Sequence, residues 1–342
     1  CNAPMFQDGE QYTSDGYFSD VITDNAINYL DGQKSLDNPF SMNVHYTAPH
    51  APWGRDQHPS EIYNDYFDNC TFDSVRWDTI HPNHLLKEGS SGSVGETADE
   101  RRQLRSGYFA AITAMDDNIG RLIDWLEAND FRQNTLIVFT ADNGMSMGHH
   151  GIWGKGNGTY PANMYDTAVK VPTLMSQPGH VPQGEVELGL FSHYDLMPTI
   201  LDYVHLGHTI GDVRDSLPGT SFSATLDGEI PVGDLSVVVA DEYGPTRMIR
   251  TKSLKYIHRY PDGPNEFYDL GNDPNETVNA IDDIAFRSII RHMAKQLQEW
   301  FDRYVDPEHD GSKQDVKGRG QIDLVSGDEE AFAQDVAFMR DL

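Results

Sequence analysis

Apolar and polar positions alternate with helical and strand periods along most of the 342-residue chain. Ser19 suits a helix N-cap, and Ile22, Ala26, Tyr29 and Leu30 recur at helical spacing up to Gly32. Pro39 then precedes Phe40, Met42, Val44 and Tyr46, an alternation that predicts a strand. Residues 54–98 are polar and read as a long loop carrying Trp77, with a flexible tip at Ser90 to Gly95. From Asp99 to Asn129 the apolar positions 104, 108, 112, 115, 119, 122 and 126 step by three or four, which predicts an amphipathic helix. Directly after it, the apolar run Leu136 to Phe139 has the composition of a buried strand in a parallel sheet. A short strand at Val169–Met175 and a helix at Asp195–Val204, with Pro198 in its first turn, continue the alternation.

Past Gly228 the pattern changes. Leu235–Ala240, Thr246–Arg250 and Leu254–Tyr260 are three short strands separated by turns, followed by a helix with Ile290, Met293, Leu297, Phe301 and Tyr304 on one face. The expected fold is therefore α/β: a doubly wound, mostly parallel sheet flanked by helices over residues 1–227. A small antiparallel sheet plus helix is expected over 228–304, and a polar tail or surface strap over 305–342.

Candidate chemistry follows the Leu136 strand. Asp142-Asn143-Gly144, His149-His150-Gly151 and Gly154-Lys155-Gly156 crowd one glycine-rich stretch, and open α/β sheets place ligands beyond the carboxyl ends of their strands. Carboxylate and amide oxygens suit a hard cation such as Ca²⁺. Lysine and histidine suit an anionic substrate and proton transfer. Taken alone, Asp-Asn-Gly is also an ordinary turn. Lys155 does not belong to a phosphate loop of the Walker type, because His149 and Gly156 stand where that motif needs glycine and serine or threonine. His50 lies between Pro49 and Pro52 at the end of a predicted strand, so a stiff loop presents its imidazole. The pair Asp116-Asp117 falls on the solvated face of the long helix.

Composition narrows the classes. The net charge is −29, with 54 acidic against 25 basic residues, which argues against nucleic-acid binding through a general basic surface. An anionic substrate then requires a local basic pocket. No apolar run approaches a membrane span. Cys1 and Cys70 do not make a disulfide scaffold.

Five stretches in order resemble the type I sulfatases of the alkaline phosphatase superfamily. They are APHAPW at 48–53, YFAAITAMDDNIGRLI at 108–123, FTADNG at 139–144, GHHGIWGKG at 148–156 with YDTAVKVPTLM at 165–175, and RTKSLKYIHRY at 250–260 with EFYDLGNDPNE at 266–276. The resemblance implies that Asp142 and Asn143 are two ligands of one Ca²⁺, and that Lys155 holds a sulfate oxygen. It further implies that His50 contacts the ester on its leaving-group side and that His150 lies close to the pocket, with a scaffold role equally open. His149 and Trp53 are candidates to line a glycan or to pack. The family's nucleophile is a formylglycine made from a C-x-P-x-R stretch, which is absent: Cys1 begins C-N-A-P-M and Cys70 begins C-T-F-D-S. The family's first pair of metal aspartates is missing too. The expectation is a chain lacking the N-terminal part of a sulfatase, inactive alone, from a periplasmic or secreted enzyme acting on a sulfated poly- or oligosaccharide. The alternatives are a phosphomonoester, phosphodiester or phosphonate hydrolase of the same superfamily, and an inactive glycan-binding fragment.

Overall fold

The computed structural model describes residues 4–7, 9–36, 38–84, 95, 97–159, 161–229, 235–241, 245–260 and 263–312. In chain order these form β1 (Pro4–Gln7), β2 (Glu10–Thr13), α1 (Phe18–Gln33), α2 (Ser60–Asn69), α3 (Ala98–Ala128), β3 (Ile137–Thr140), β4 (Ser146–Met147) and β5 (Trp153–Gly154). There follow α4 (Asp166–Val169), β6 (Thr173–Ser176), α5 (Leu196–Tyr203), α6 (Ser223–Leu226), β7 (Ser236–Ala240), β8 (Thr246–Thr251), β9 (Leu254–Arg259), β10 (Glu266–Asp269) and α7 (Arg287–Tyr304). The chain divides into two compact units: Cys1–Asp78, Leu86–Ile137 and Met147–Trp153 in the first, and Thr79–Leu85, Val138–Ser146 and Gly154–Leu342 in the second.

The first unit is built on α3. Thr97 caps it: the hydroxyl accepts from the Glu100 amide and the Glu100 carboxylate accepts from the Thr97 amide. Its most buried face is made of small residues, Gly107, Ala110, Ala111 and Ala114, so neighbouring backbone comes close. A Cβ on Gly107 would lie 2.2 Å from the Trp53 carbonyl oxygen. Polar bonds tie α3 to α1, from Asn118 to Asp20 (2.7 Å) and from Trp125 to Asp31 (3.0 Å). Asp116 and Asp117 are exposed, as the periodicity requires.

In the second unit β3 pairs with β6, and a four-stranded antiparallel sheet runs in the order β10-β9-β8-β7. Its register aligns Val238, Ile249, Tyr256 and Phe267 in one row across the strands. That row packs on Met293, Leu297 and Phe301 of α7, the face that the helical spacing of the sequence had marked. The neighbouring row, Val237, Arg250, Lys255 and Tyr268, faces the opposite way because side chains alternate along a strand. Two buried cations therefore stand on the second face of this sheet.

Three expectations change. Tyr17, not Ser19, is the N-cap of α1; Ser19 is buried in the first turn. Residues 40–46 alternate in exposure but join no ladder among the described residues, since alternation records which side chains face inward and a ladder needs an adjacent strand. The 54–98 stretch contains α2, which buries Tyr63 and stacks Tyr63 on Phe67 with centroids 6.2 Å apart. Of the expected tip, residues 90–94 lie outside the described residues, as do 313–342 of the expected tail or strap.

Candidate active site

Asp142 and Asn143 follow β3 directly, in the second unit. The Asp142 carboxylate is exposed and accepts the Asn143 amide at 2.9 Å. Gly144 holds the pair in place by its lack of a side chain. Its amide donates to the Ala168 carbonyl at 2.8 Å, and a Cβ there would meet the Thr167 carbonyl oxygen at 2.2 Å. The glycine of this triplet thus serves a close backbone approach, not a left-handed turn.

Lys155 is half-buried on the glycine-rich loop of the same unit. Its ammonium enters none of the ion pairs among the described residues. The loop around it is fastened by Asn163, a buried residue whose side-chain amide donates to the carbonyls of Lys155 (3.0 Å) and Gly156 (3.1 Å) and to the Thr159 hydroxyl (3.2 Å). A rigid backbone thus carries a cation with no protein counter-ion among the described residues, as oxyanion binding requires.

The other candidates stand in the first unit. His50 is exposed, and its Nδ1 lies 3.2 Å from the Ala51 carbonyl. A carbonyl only accepts, so Nδ1 carries the hydrogen and Nε2 is the nitrogen left for proton exchange. Trp53 is engaged on both counts. Its indole N–H donates to the Pro49 carbonyl at 2.8 Å, and its ring meets Trp153 edge-on at 5.3 Å. Packing accounts for those contacts.

His149 and His150 occupy one turn of 3-10 helix, His149–Gly151, sealed onto Arg76–Asp78. The Asp78 amide donates to the Gly148 carbonyl (3.0 Å), and the Asp78 carboxylate accepts the His150 amide (2.8 Å). Gly148 has φ +111°, and a Cβ on it would fall 2.7 Å from the Trp77 ring. His150 itself is left-handed, with φ 57° and ψ 16°, a conformation uncommon outside glycine. Burial pushes the His149 imidazole below its ordinary value. The charges of Arg76 and Arg105 add to this and Asp78 opposes it, so His149 is neutral near pH 7 and acts as a hydrogen-bonding group.

Asp142 and Asn143 fit a hard cation in kind, since an exposed carboxylate and an amide oxygen are the ligand types Ca²⁺ takes. They do not complete its shell. Among the described residues no three His, Cys, Asp or Glu gather into a metal cluster, whereas Ca²⁺ takes about six to eight oxygens. Two supporting residues, Asp78 and Asn163, carry no sequence signal. Asp78 acts across 72 positions, and Asn163 sits in no motif.

These features belong to a known class of hydrolase architecture, the α/β fold of the alkaline phosphatase type. A structure solved with D-glucosamine-2-N,6-O-disulfate superposes with TM-score 0.73 at 23% identity, over 90% of this chain and 74% of that one. The phosphonate monoester hydrolase of Agrobacterium radiobacter superposes with TM-score 0.65 at 22% identity, over 85% and 61%. The sulfatase family model matches residues 3–206, and the chain belongs to the sulfatase family. It is 25% identical to the N-acetylglucosamine-6-O-sulfatase of Bacteroides thetaiotaomicron over 94% of its own length and 68% of that relative's. Other curated relatives are longer still, the chain spanning between 46% and 59% of three of them.

Proposed function

We propose that the protein hydrolyses sulfate esters on a sulfated carbohydrate. The observation that carries this reading is the half-buried Lys155 ammonium, held by Asn163 and free of any carboxylate partner among the described residues, in a chain whose net charge is −29. So acidic a chain repels anions at long range, and a bare cation on a fixed loop is what a local oxyanion site needs. Membership of the sulfatase family and similarity to a glucosamine sulfatase support sulfate and sugar as the substrate.

Lys155 would hold a sulfate oxygen and neutralise charge building on it during transfer. His50 Nε2 would exchange a proton with the departing alcohol oxygen, Nδ1 being fixed by Ala51. Asp142 and Asn143 would contribute two oxygens to one Ca²⁺, which when bound supplies Lewis-acid polarisation of the ester. Gly144 would keep both on station through its bond to Ala168. The C-x-P-x-R stretch that becomes formylglycine in this family is not among the 342 residues, so the attacking group comes from elsewhere in the intact protein. A periplasmic or secreted location goes with this reading.

The test is release of inorganic sulfate from an aryl sulfate and from N-acetylglucosamine 6-sulfate by the intact protein with Ca²⁺. Lys155→Ala should lower kcat/KM by about 10²–10³-fold. A variant within twofold of wild type would remove the central role given to Lys155. The likeness to a phosphonate monoester hydrolase supports a second reading, hydrolysis of a phosphorus ester. Faster turnover of a phosphonate monoester than of any sulfate ester would establish it. Tight binding of a sulfated glycan without turnover of either ester would instead mark an inactive binding protein.

A further inference from the structure

The first unit holds a second basic cluster that the proposed hydrolysis does not use. Arg101 and Arg105 lie over the Trp77 ring, at 5.1 Å and 4.7 Å from its centroid. Arg76, next to Trp77 in the chain, pairs with Asp78 at 2.6 Å, and both side chains stay about one third exposed, at 37% and 32%. The Asp78 carboxylate is shared, because its Oδ2 also accepts the His150 amide. Arg105 spends one nitrogen on the Val75 carbonyl at 3.2 Å and has no carboxylate partner among the described residues. His149 adjoins this group through the Gly148–Asp78 and His150–Asp78 bonds.

Charge and desolvation make this arrangement costly as it stands. Three guanidinium groups gather about one ring, in a chain with more than twice as many acidic as basic residues. Partly buried cations without counter-ions are disfavoured, and they push one another's protons off; the Arg105 guanidinium is lowered by burial first and by Arg101 second. Buried polar atoms without partners concentrate here as well: Nε of Arg76, Nε of Arg105 and Nδ1 of His149. Such orphans in a native fold call for an explanation. Arginine stacked on an aromatic face remains free to present its fork edge-on to an oxyanion. Stacking on Trp77 explains why two of the arginines are ordered; it does not explain why so few carboxylates neutralise them.

We propose that Arg76, Arg105 and His149 form a second anion site. It takes a sulfate or carboxylate substituent of an acidic carbohydrate other than the ester being cleaved, so that the protein selects multiply charged sugars. The identity of the carbohydrate rests on the sulfatase reading; the anion site does not.

The experiment is calorimetric titration of the intact protein with two probes, N-acetylglucosamine 6-sulfate and D-glucosamine-2-N,6-O-disulfate, alongside kcat/KM on an aryl sulfate. Wild type should bind the disulfated sugar at least about tenfold more tightly, the worth of one charge-assisted contact. Arg76→Gln should reduce that preference to about twofold or less, with the aryl sulfate rate and the thermal midpoint unchanged. Arg105→Gln, read the same way, covers the case in which one arginine compensates for the other. Glucuronic acid as competitor separates the sources: displacement of the disulfated sugar by it assigns the site to carboxylate as well as sulfate. Equal affinity for the two probes in wild type overturns the proposal, as does an unchanged preference in both variants or equal weakening of both probes. No turnover of aryl sulfate by wild type, with a charge-dependent preference still present in the titration, sinks the sulfatase reading and leaves the anion site standing.

Discussion

Replacing Lys255 with methionine removes the cation that fixes the chain just after the Lys155 loop. Its ammonium is fully buried at 0% exposure and donates to the Met164 carbonyl (2.9 Å), to Asp166 (2.6 Å) and to Glu276. Arg250 adds a forked pair to Asp166, at 3.1 Å and 2.9 Å, and Glu276 accepts the Asp166 amide at 2.7 Å. Arg259, further along the same strand β9, donates twice to the Ala162 carbonyl, at 3.2 Å and 2.9 Å. Strands β8 and β9 thus clamp residues 162–166, a segment that includes the Asn163 holding Lys155. Methionine keeps most of the stem volume and removes the charge. Glu276, 2% exposed, is then left without its cation, and breaking a buried pair in this way costs about 3–5 kcal/mol.

Unfolding entropy of about 2.1 cal/mol/K per residue gives roughly 0.7 kcal/mol/K for a chain this long, so the thermal midpoint should drop by about 4–7 °C. Burial already raises the Glu276 carboxyl against the pull of Lys255. In the variant it rises further, so the loss should be larger at about pH 7 than at about pH 5, where a proton takes the place of the cation. Adding Glu276→Gln should recover at least about half of the loss, measured as a double-mutant cycle from denaturant midpoints. A loss below about 1 kcal/mol, or no recovery in the double variant, would refute the reasoning.

Other outcomes follow from the same contacts. Gly144→Ala places a methyl group against the Thr167 carbonyl and should cost about 1–3 kcal/mol while displacing Asn143; a normal unfolding midpoint with normal sulfate release would contradict this. Burial lowers His58, His81, His149 and His258 below the ordinary 6.5. The unfolded chain therefore binds protons that the folded chain refuses, and stability should fall as pH drops through about 6.5 and level off above it. Glu276 works in the opposite direction above 4.5, one group against four. A denaturant midpoint no lower at about pH 5 than at about pH 7.5 would contradict the sign. The 342-residue chain by itself should release no sulfate from an aryl sulfate with Ca²⁺; measurable turnover would mean that one of its own residues attacks the ester.

Much of the architecture was legible because it is local. The three- and four-residue steps from 104 to 126 needed no partner to announce α3, and the polar residues after Phe139 marked the end of β3. The three strands beyond Gly228 and the α7 stripe were equally plain, since their turns and periods lie within short windows. Residues 40–46 misled because alternation reports facing, not pairing. Helix α2 was missed because ten residues with one buried tyrosine give too little periodic signal to outweigh a polar background.

The sequence by itself determined the periods of the main helices and strands, the acidic balance, and the order of acid, amide, imidazole and ammonium after one apolar strand. Tertiary structure alone decided what holds them: Asp78 on His150 across 72 positions, Glu276 on Asp166 across 110, and Trp77 beneath two arginines of α3. A period repeats within a few residues and can be read from neighbours in the chain. A salt bridge or a stacked ring joins partners whose separation along the chain carries no information until the backbone has folded.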